Sequence, residues 1–117
     1  MTELESRTLC IDLDLTLCAR GDDYASAQPV PGAKEALRHL REGGWIIILY
    51  TARHFNHWQV TVNWLASHGL AYDQIVFGKP PARFYIDDRA ISFDGDWDDV
   101  CRRLASDELV KRGQKVS

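Results

Sequence analysis

Short apolar runs alternate with amphipathic stretches along this chain of 117 residues, which predicts β-strands connected by helices. The clearest run covers residues 45–50 and is rich in isoleucine without polar alternation, as is typical of a strand buried on both faces of a parallel sheet. Further apolar runs predict strands at residues 8–11, 75–77 and 84–86. The first and the last of these runs end in pairs of aspartates.

Three stretches have apolar residues at helical spacing, and they follow the first, second and fourth predicted strands. They predict helices over about 32–42, over 56–68, and from Asp96 to about residue 109. The order predicts a single-domain α/β fold, a Rossmann-like three-layer sandwich with a mostly parallel sheet. We expect one domain over 1–117 with its core at about 7–109, a flap at 18–30, and a disordered tail at 110–117.

Composition and charge narrow the classes of function. The net charge of −3 and the scattered basic residues predict no nucleic-acid partner, and the absence of a long apolar stretch predicts no membrane partner. Three cysteines, with no CxxC pair, favour reduced thiols and a cytoplasmic protein. We expect Cys10, inside the first apolar run, to be a small core residue.

Polar residues follow the carboxyl end of every predicted strand. They are Asp12, Asp14 and Thr16 after the first, Thr51 after the second, Lys79 after the third, and Asp87 and Asp88 after the fourth. Ligands of open α/β sheets bind at this edge, so the sequence predicts one cluster of carboxylates, an ammonium group and hydroxyls.

Such a cluster suits the chemistry of phosphate esters. Oxygen ligands without His or Cys favour a hard cation, which in phosphate chemistry is usually Mg²⁺. The metal and Lys79 would balance a phosphate dianion, to which Thr51 would donate a hydrogen bond. A carboxylate can also serve as the nucleophile, which divides hydrolysis into two easier steps.

Four segments resemble the motifs of the haloacid-dehalogenase superfamily. LCIDLDLTLC is similar to its DxDx(T/V) signature, IIILYTAR to its second motif, GKP to its third and FYIDDRA to its fourth, all in the family's order. The resemblance spans residues 8–89 and implies a magnesium-dependent phosphohydrolase. Leu15 stands where a glycine is common in the family, which bears on the shape of the loop.

The resemblance implies a role for each matching residue. Asp12 would be the nucleophile, and Asp14 the acid for the leaving group and then the base for water. Thr51, Ala52 and Lys79 would hold the phosphoryl group. Asp87 would ligate the metal together with Asp12 and the Asp14 carbonyl, and Asp88 would ligate it directly, ligate it through water or orient the site.

The gaps between the motifs are too short for a cap domain, so the resemblance is to small, capless members. Some of these act in capsule and cell-surface sugar biosynthesis, which suggests a small phosphorylated metabolite such as a sugar phosphate. Arg20, Arg53 and His54 are candidate substrate contacts at the mouth of the site. An uncapped site also raises the hypothesis of a homo-oligomer in which a second copy shields the flap.

Three alternatives remain open at this point. A receiver-like phospho-signalling module shares the fold class and several residue types. In such modules, however, the acidic pair follows the first strand, whereas here a DxD pattern follows the first predicted strand and the DD pair follows the last. A degenerate relative could bind without turnover, although the catalytic residues expected from the resemblance are present. An open site could also admit a 3′-phosphorylated nucleic-acid end, which the lack of a basic groove disfavours.

Overall fold

Three parallel strands form the sheet in the part of the chain that the structure, a computed structural model, describes: residues 1–111, with side chains as far as residue 107. The strands β1 (Thr8–Ile11), β2 (Ile46–Thr51) and β3 (Gln74–Phe77) lie in the order β1-β2-β3. Parallel neighbours require crossover connections, which the helices provide. The predicted α/β fold with a parallel sheet is confirmed.

The helices agree with the predicted ones to within a few residues. They are α1 (Glu3–Ser6), α2 (Ala33–Glu42), α3 (Trp58–Ser67) and α4 (Trp97–Lys111), with a 3-10 helix at Phe55–His57. The short α1 was not predicted, and a capping box between Thr2 and Glu5 accounts for its start. Because α4 extends to residue 111, residues 110 and 111 of the predicted tail are helical, and 112–117 lie outside the described residues. Among the described helices, none is long and apolar enough to cross a membrane.

The core forms where β2 meets the helices. Ile47, Leu49 and Thr51 on one face of β2 are fully buried, whereas the residues between them are half-buried. The expectation of a strand buried equally on both faces is therefore wrong. The other core positions include the spaced apolar residues of α2 (Ala33, Ala36, Leu37 and Leu40) and Trp64 and Leu65 of α3.

One carboxylate joins the start of β2 to the end of α2 and to the loop before β3. Asp73 accepts a hydrogen bond from the Ile47 N–H at 2.8 Å, and the Asp73 N–H donates to the Ile47 carbonyl at 2.8 Å. The Arg41 guanidinium also lies 2.8 Å from Asp73. The Ile47 N–H, and after it Arg41, hold the pKa of Asp73 below its ordinary value.

The fourth predicted strand does not form in the described structure. Residues 84–86 have no strand pairing, Phe84 is 72% exposed and Ile86 is 100% exposed. β1 is consequently an edge strand among the described residues, and Cys10 is exposed, so its assignment to the core is wrong. A short apolar run specifies a strand only when a partner edge and a covering layer bury it, and this segment has neither.

Candidate active site

The first motif forms a tight turn directly after β1. Leu13 and Leu17 are fully buried, and the Leu13 carbonyl accepts hydrogen bonds from the N–H groups of Leu17 at 2.9 Å and Cys18 at 3.0 Å. Asp12 and Asp14 flank Leu13 and remain partly exposed. Leu15 continues the turn with a φ of 64°, in the left-handed region that favours glycine. The turn thus anchors two apolar residues in the core and leaves the two carboxylates accessible.

Asp12 is paired with the predicted lysine. The Lys79 Nζ lies 3.4 Å from Asp12 Oδ2, and the Leu13 N–H donates to Asp12 Oδ1 at 2.8 Å. Lys79 is held from β2, since its N–H donates to the Thr51 carbonyl at 2.9 Å, and its ammonium lies 4.1 Å from the centre of the Tyr85 ring. The structure therefore brings the first and third motifs together as the sequence predicts.

Asp14 is held by an arginine of the second motif. Arg53 Nε donates to Asp14 Oδ2 at 3.0 Å and Arg53 Nη2 donates to Asp14 Oδ1 at 2.7 Å, a two-point contact of the kind that arginine forms best. The arginine side chain is only 1% exposed, while that of Asp14 is 45% exposed. The cation is thus buried behind the carboxylate, which remains open to a ligand.

Further contacts fix the Arg53 guanidinium. Nη1 donates to the Thr61 hydroxyl at 3.0 Å, and that hydroxyl donates to the His57 carbonyl at 2.8 Å. The Tyr24 ring of the flap stacks on the guanidinium with its centre 3.7 Å away. Arg53, predicted as a substrate contact at the mouth of the site, is instead a buried link between the second motif, Asp14, α3 and the flap.

The thiol of Cys18 also borders the Arg53 guanidinium, with Nη2 3.8 Å from its sulfur. Burial raises the pKa of this thiol, and Asp14 adds to the rise while Arg53 opposes it. Cys18 is therefore held as a thiol at neutral pH, and it contributes packing rather than charge to the site.

Thr51 lies at the end of β2 and is fully buried. Its hydroxyl accepts a hydrogen bond from the Arg53 N–H at 3.1 Å, and its carbonyl accepts from Lys79. Thr51 therefore supports the two cationic residues of the site, and its contact with a phosphoryl group stays a prediction. Ala52, between Thr51 and Arg53, is exposed, as a backbone donor to phosphate needs to be.

The fourth motif is the part of the predicted cluster that the structure does not assemble. Asp87 and Asp88 are exposed, and Asp87 accepts a hydrogen bond from the Arg89 N–H at 2.9 Å. That hydrogen bond lowers the pKa of Asp87. Among the described residues, no three or more His, Cys, Asp or Glu side chains converge in a way that could hold a metal ion. The predicted four-carboxylate metal set is not formed in this arrangement.

The flap, residues 18–30, borders an open cavity beside Asp14. The cavity has a volume of about 290 Å³ and is lined by Asp14 and by flap residues that include Arg20 and Tyr24. The flap is attached to the core, since Trp64 Nε1 donates to the Ala27 carbonyl at 2.7 Å and the Val30 N–H donates to the Leu17 carbonyl at 2.8 Å. His54 is exposed and caps the 3-10 helix through the Asn56 N–H. Of the predicted substrate contacts, Arg20 alone lines this cavity.

Sequence inspection missed the ion pair between Arg53 and Asp14. The available signal was an arginine two residues beyond a buried strand, because a cation there requires a carboxylate partner. It also missed the indole hydrogen bonds of Trp64 to the flap and of Trp97 to the Thr16 carbonyl at 3.0 Å, which need the tertiary fold to be seen.

Comparisons with known proteins agree with the α/β fold. The chain is similar to a structural-genomics target from Vibrio cholerae of known crystal structure, with 34% identity and a TM-score of 0.65 over 73% of this chain and 82% of that one. A curated protein of Chlorobaculum tepidum with the provisional name 5′(3′)-deoxyribonucleotidase is 39% identical, over 56% of this chain and 37% of its own length. This chain therefore spans little more than a third of that relative.

A chain in the structure of a Pnkp1/Rnl/Hen1 complex shares the fold, with a TM-score of 0.54 and 23% identity over 69% of this chain and 30% of that chain. No family model matches the chain. The four motifs occur in order, two of them meet in the structure through Asp12 and Lys79, and the Vibrio cholerae relative covers most of both chains. The chain belongs to the haloacid-dehalogenase superfamily.

Proposed function

We propose that the protein is a phosphomonoester hydrolase that works through a phosphoaspartate on Asp12. The observation that carries the proposal is the position of the Asp12 carboxylate, partly exposed at the end of β1 and 3.4 Å from the Lys79 ammonium. A fixed cation at this distance offsets the repulsion between an anionic nucleophile and an incoming phosphate dianion. The relative from Chlorobaculum tepidum, whose name denotes a phosphatase, supports the same reaction class.

In this proposal Asp14 transfers protons in both half-reactions. It would donate a proton to the leaving alkoxide while Asp12 attacks phosphorus, and it would then accept a proton from the water that hydrolyses the phosphoaspartate. The cavity beside Asp14 supports this role, because its volume of about 290 Å³ gives room for a small leaving group at the carboxylate.

We propose a small phosphate monoester as the substrate. The charged side chains of Arg20, Asp22 and Asp23 beside the cavity support a sugar phosphate, whose hydroxyl groups they could bind, and a deoxyribonucleoside monophosphate is suggested by the name of the curated relative. The sugar and nucleotide classes can be separated by one substrate panel. We also propose a cytoplasmic location, which the free thiols of Cys10, Cys18 and Cys101 support.

We propose Mg²⁺ as the cofactor, because an oxygen-only set of ligands favours a hard cation. The described residues do not yet fit the metal, since Asp87 and Asp88 are not gathered with Asp12. Binding through this set requires residues 84–88 to approach Asp12.

The test of the proposed function compares the wild type with Asp12→Asn on a panel of sugar phosphates, nucleoside monophosphates and p-nitrophenyl phosphate. We expect turnover by the wild type and a loss of at least about 1,000-fold in the variant, since an amide is not a nucleophile for phosphorus. Asp98→Asn, an identical change at an exposed position of α4, is the matched control and should retain activity. Equal activity of Asp12→Asn and the wild type would overturn the proposal, and a circular-dichroism melt checks that the variant is folded.

A further inference from the structure

We propose that Arg53 is the positioning residue that fixes the Asp14 carboxylate for proton transfer to the leaving group. This inference deepens the proposed function and rests on it. It starts from the two-point contact at 3.0 and 2.7 Å, in which both carboxylate oxygens of Asp14 accept from one planar guanidinium. Two parallel hydrogen bonds fix the plane and the rotation of a carboxylate, which a single bond does not.

The guanidinium can serve as a reference point because its own position is fixed on several sides. Thr61 of α3 accepts from Nη1 at 3.0 Å, and the Tyr24 ring covers one face at 3.7 Å. The Arg53 N–H is anchored to the Thr51 hydroxyl at 3.1 Å. The residue is 3% exposed overall, so water does not compete for these contacts. Rigid support of this kind is what a proton-transfer group needs, because misplacement by about 1 Å can cost about 100-fold in rate.

The Arg53 guanidinium contacts both the Asp14 carboxylate and the Tyr24 ring of the flap. The Tyr24 ring contacts the Arg53 guanidinium on its face and also meets the His57 ring in an edge-on contact, with the two ring centres 5.1 Å apart. Asp14 and Tyr24 both line the leaving-group cavity. Arg53 therefore aligns the acid with the wall of the cavity in which the leaving group would lie, and it does so without lining that cavity itself.

The experiment uses two substrates of nearly the same shape, phenyl phosphate and p-nitrophenyl phosphate. Phenolate is the poorer leaving group and needs a proton, whereas p-nitrophenolate leaves with little assistance. The value of kcat/KM is compared because it reports the steps up to formation of the phosphoenzyme. The variants are Arg53→Lys, which keeps the charge and loses the two-point contact, and Arg53→Met, which loses both.

We expect kcat/KM for phenyl phosphate to fall roughly 100-fold in both variants, and kcat/KM for p-nitrophenyl phosphate to fall by less than about 5-fold. Thr61→Val, which removes one support of the guanidinium, should change the ratio in the same direction by a smaller factor of about 3 to 10. Arg41→Met removes an exposed arginine that also contacts a carboxylate at 2.8 Å, and it should leave the ratio unchanged.

An equal loss on both substrates would overturn the inference, because a structural or binding defect lowers the two values together. If the buried Arg53 variants do not fold, Thr61→Val decides alone, and an unchanged ratio in that variant counts against the role. A wild type that hydrolyses neither substrate would instead overturn the proposed function, and the role of Arg53 with it. The two failures are thus distinguishable.

Discussion

At the scale of single residues, the site depends on pairs that the chain brings together over long separations. Asp12 meets Lys79, and Asp14 meets Arg53, so the proposed nucleophile and the proposed proton-transfer group each have a cation of their own. The lysine contacts one carboxylate oxygen and the arginine contacts two. In the proposed mechanism Asp12 needs a free oxygen to attack phosphorus, whereas Asp14 needs a fixed orientation for proton transfer, and the two kinds of contact suit these needs.

The sequence predicted Asp12, Asp14 and Lys79 as site residues because each comes just after an apolar run. It did not predict the role of Arg53, because its contacts with Asp14 and Thr61 depend on how α3 and the flap pack around β2. A motif locates a residue along the chain, whereas its partner is decided by tertiary packing.

Leu15 has a backbone conformation that is unfavourable for a residue with a side chain. Its φ of 64° costs an L-residue about 1–2 kcal/mol, and the side chain is 57% exposed and recovers little of that cost. We expect Leu15→Gly to be more stable than Leu15→Val by about 1–2 kcal/mol in urea unfolding, since a β-branched residue tolerates this region least.

The control for this prediction is Leu4, which is 60% exposed in α1 and has an ordinary φ. At that position the order of the two substitutions should reverse, because glycine lowers helix stability more than valine does. A glycine variant at Leu15 less stable than the valine variant would contradict the assignment of strain to this turn.

At the scale of elements, the strands and helices that pack against one another form as predicted, whereas the strand predicted at residues 84–86 does not form in the described structure. Residues 46–51 form a strand because β1 and β3 pair with it and helices cover one face. Residues 84–86 have a similar composition, yet no strand pairs with them in the described structure. The local sequence pattern predicts a strand correctly when the run is buried by neighbouring strands and helices. It fails when burial of the run depends on pairing with a strand that is distant in the sequence.

Asp73 provides a pH-dependent link between elements. Its pKa is lowered in the folded state, so its contribution to stability is present above the ordinary carboxyl pKa and is lost as the pH falls through the folded value. We expect Asp73→Asn to reduce the free energy of unfolding by about 0.5–1 kcal/mol at pH 7, because solvent screens this exposed carboxylate. The difference from the wild type should shrink as the pH falls below about 4.

Chemical denaturation at several pH values measures this difference directly. Asp98→Asn, at an exposed site on α4, is the control and should stay within about 0.5 kcal/mol of the wild type at every pH. A destabilisation by Asp73→Asn that is the same at pH 3 and pH 7 would show that the carboxylate charge does not contribute.

At the scale of the whole molecule, the segment with the fourth motif is not paired with the sheet in the described structure. β1 has a free edge in the described structure, and the exposed residues 84–86 carry Asp87 and Asp88 at their end. If Mg²⁺ binds through Asp12 and Asp87, these two parts of the molecule have to meet.

We therefore expect Mg²⁺ to slow hydrogen exchange at residues 84–88, compared with NaCl at equal ionic strength. Asp87→Asn should lose this protection, and removal of the metal with EDTA should abolish hydrolysis. Calorimetric binding of Mg²⁺ to the wild type with no change in exchange at this segment would contradict the expected rearrangement. Closure of the flap by a second copy also stays a prediction, which light scattering can examine.

Transfer of the phosphoryl group to Asp12 is tested most directly by trapping the covalent intermediate. Asp14→Asn should accumulate the phosphoenzyme with p-nitrophenyl phosphate, because this leaving group departs without an acid while the second step lacks its base. Intact-mass spectrometry of acid-quenched samples, followed by peptide mapping, should show one phosphate adduct on Asp12. No adduct in Asp14→Asn, or an adduct on another residue, while the wild type hydrolyses the same substrate, would contradict the account.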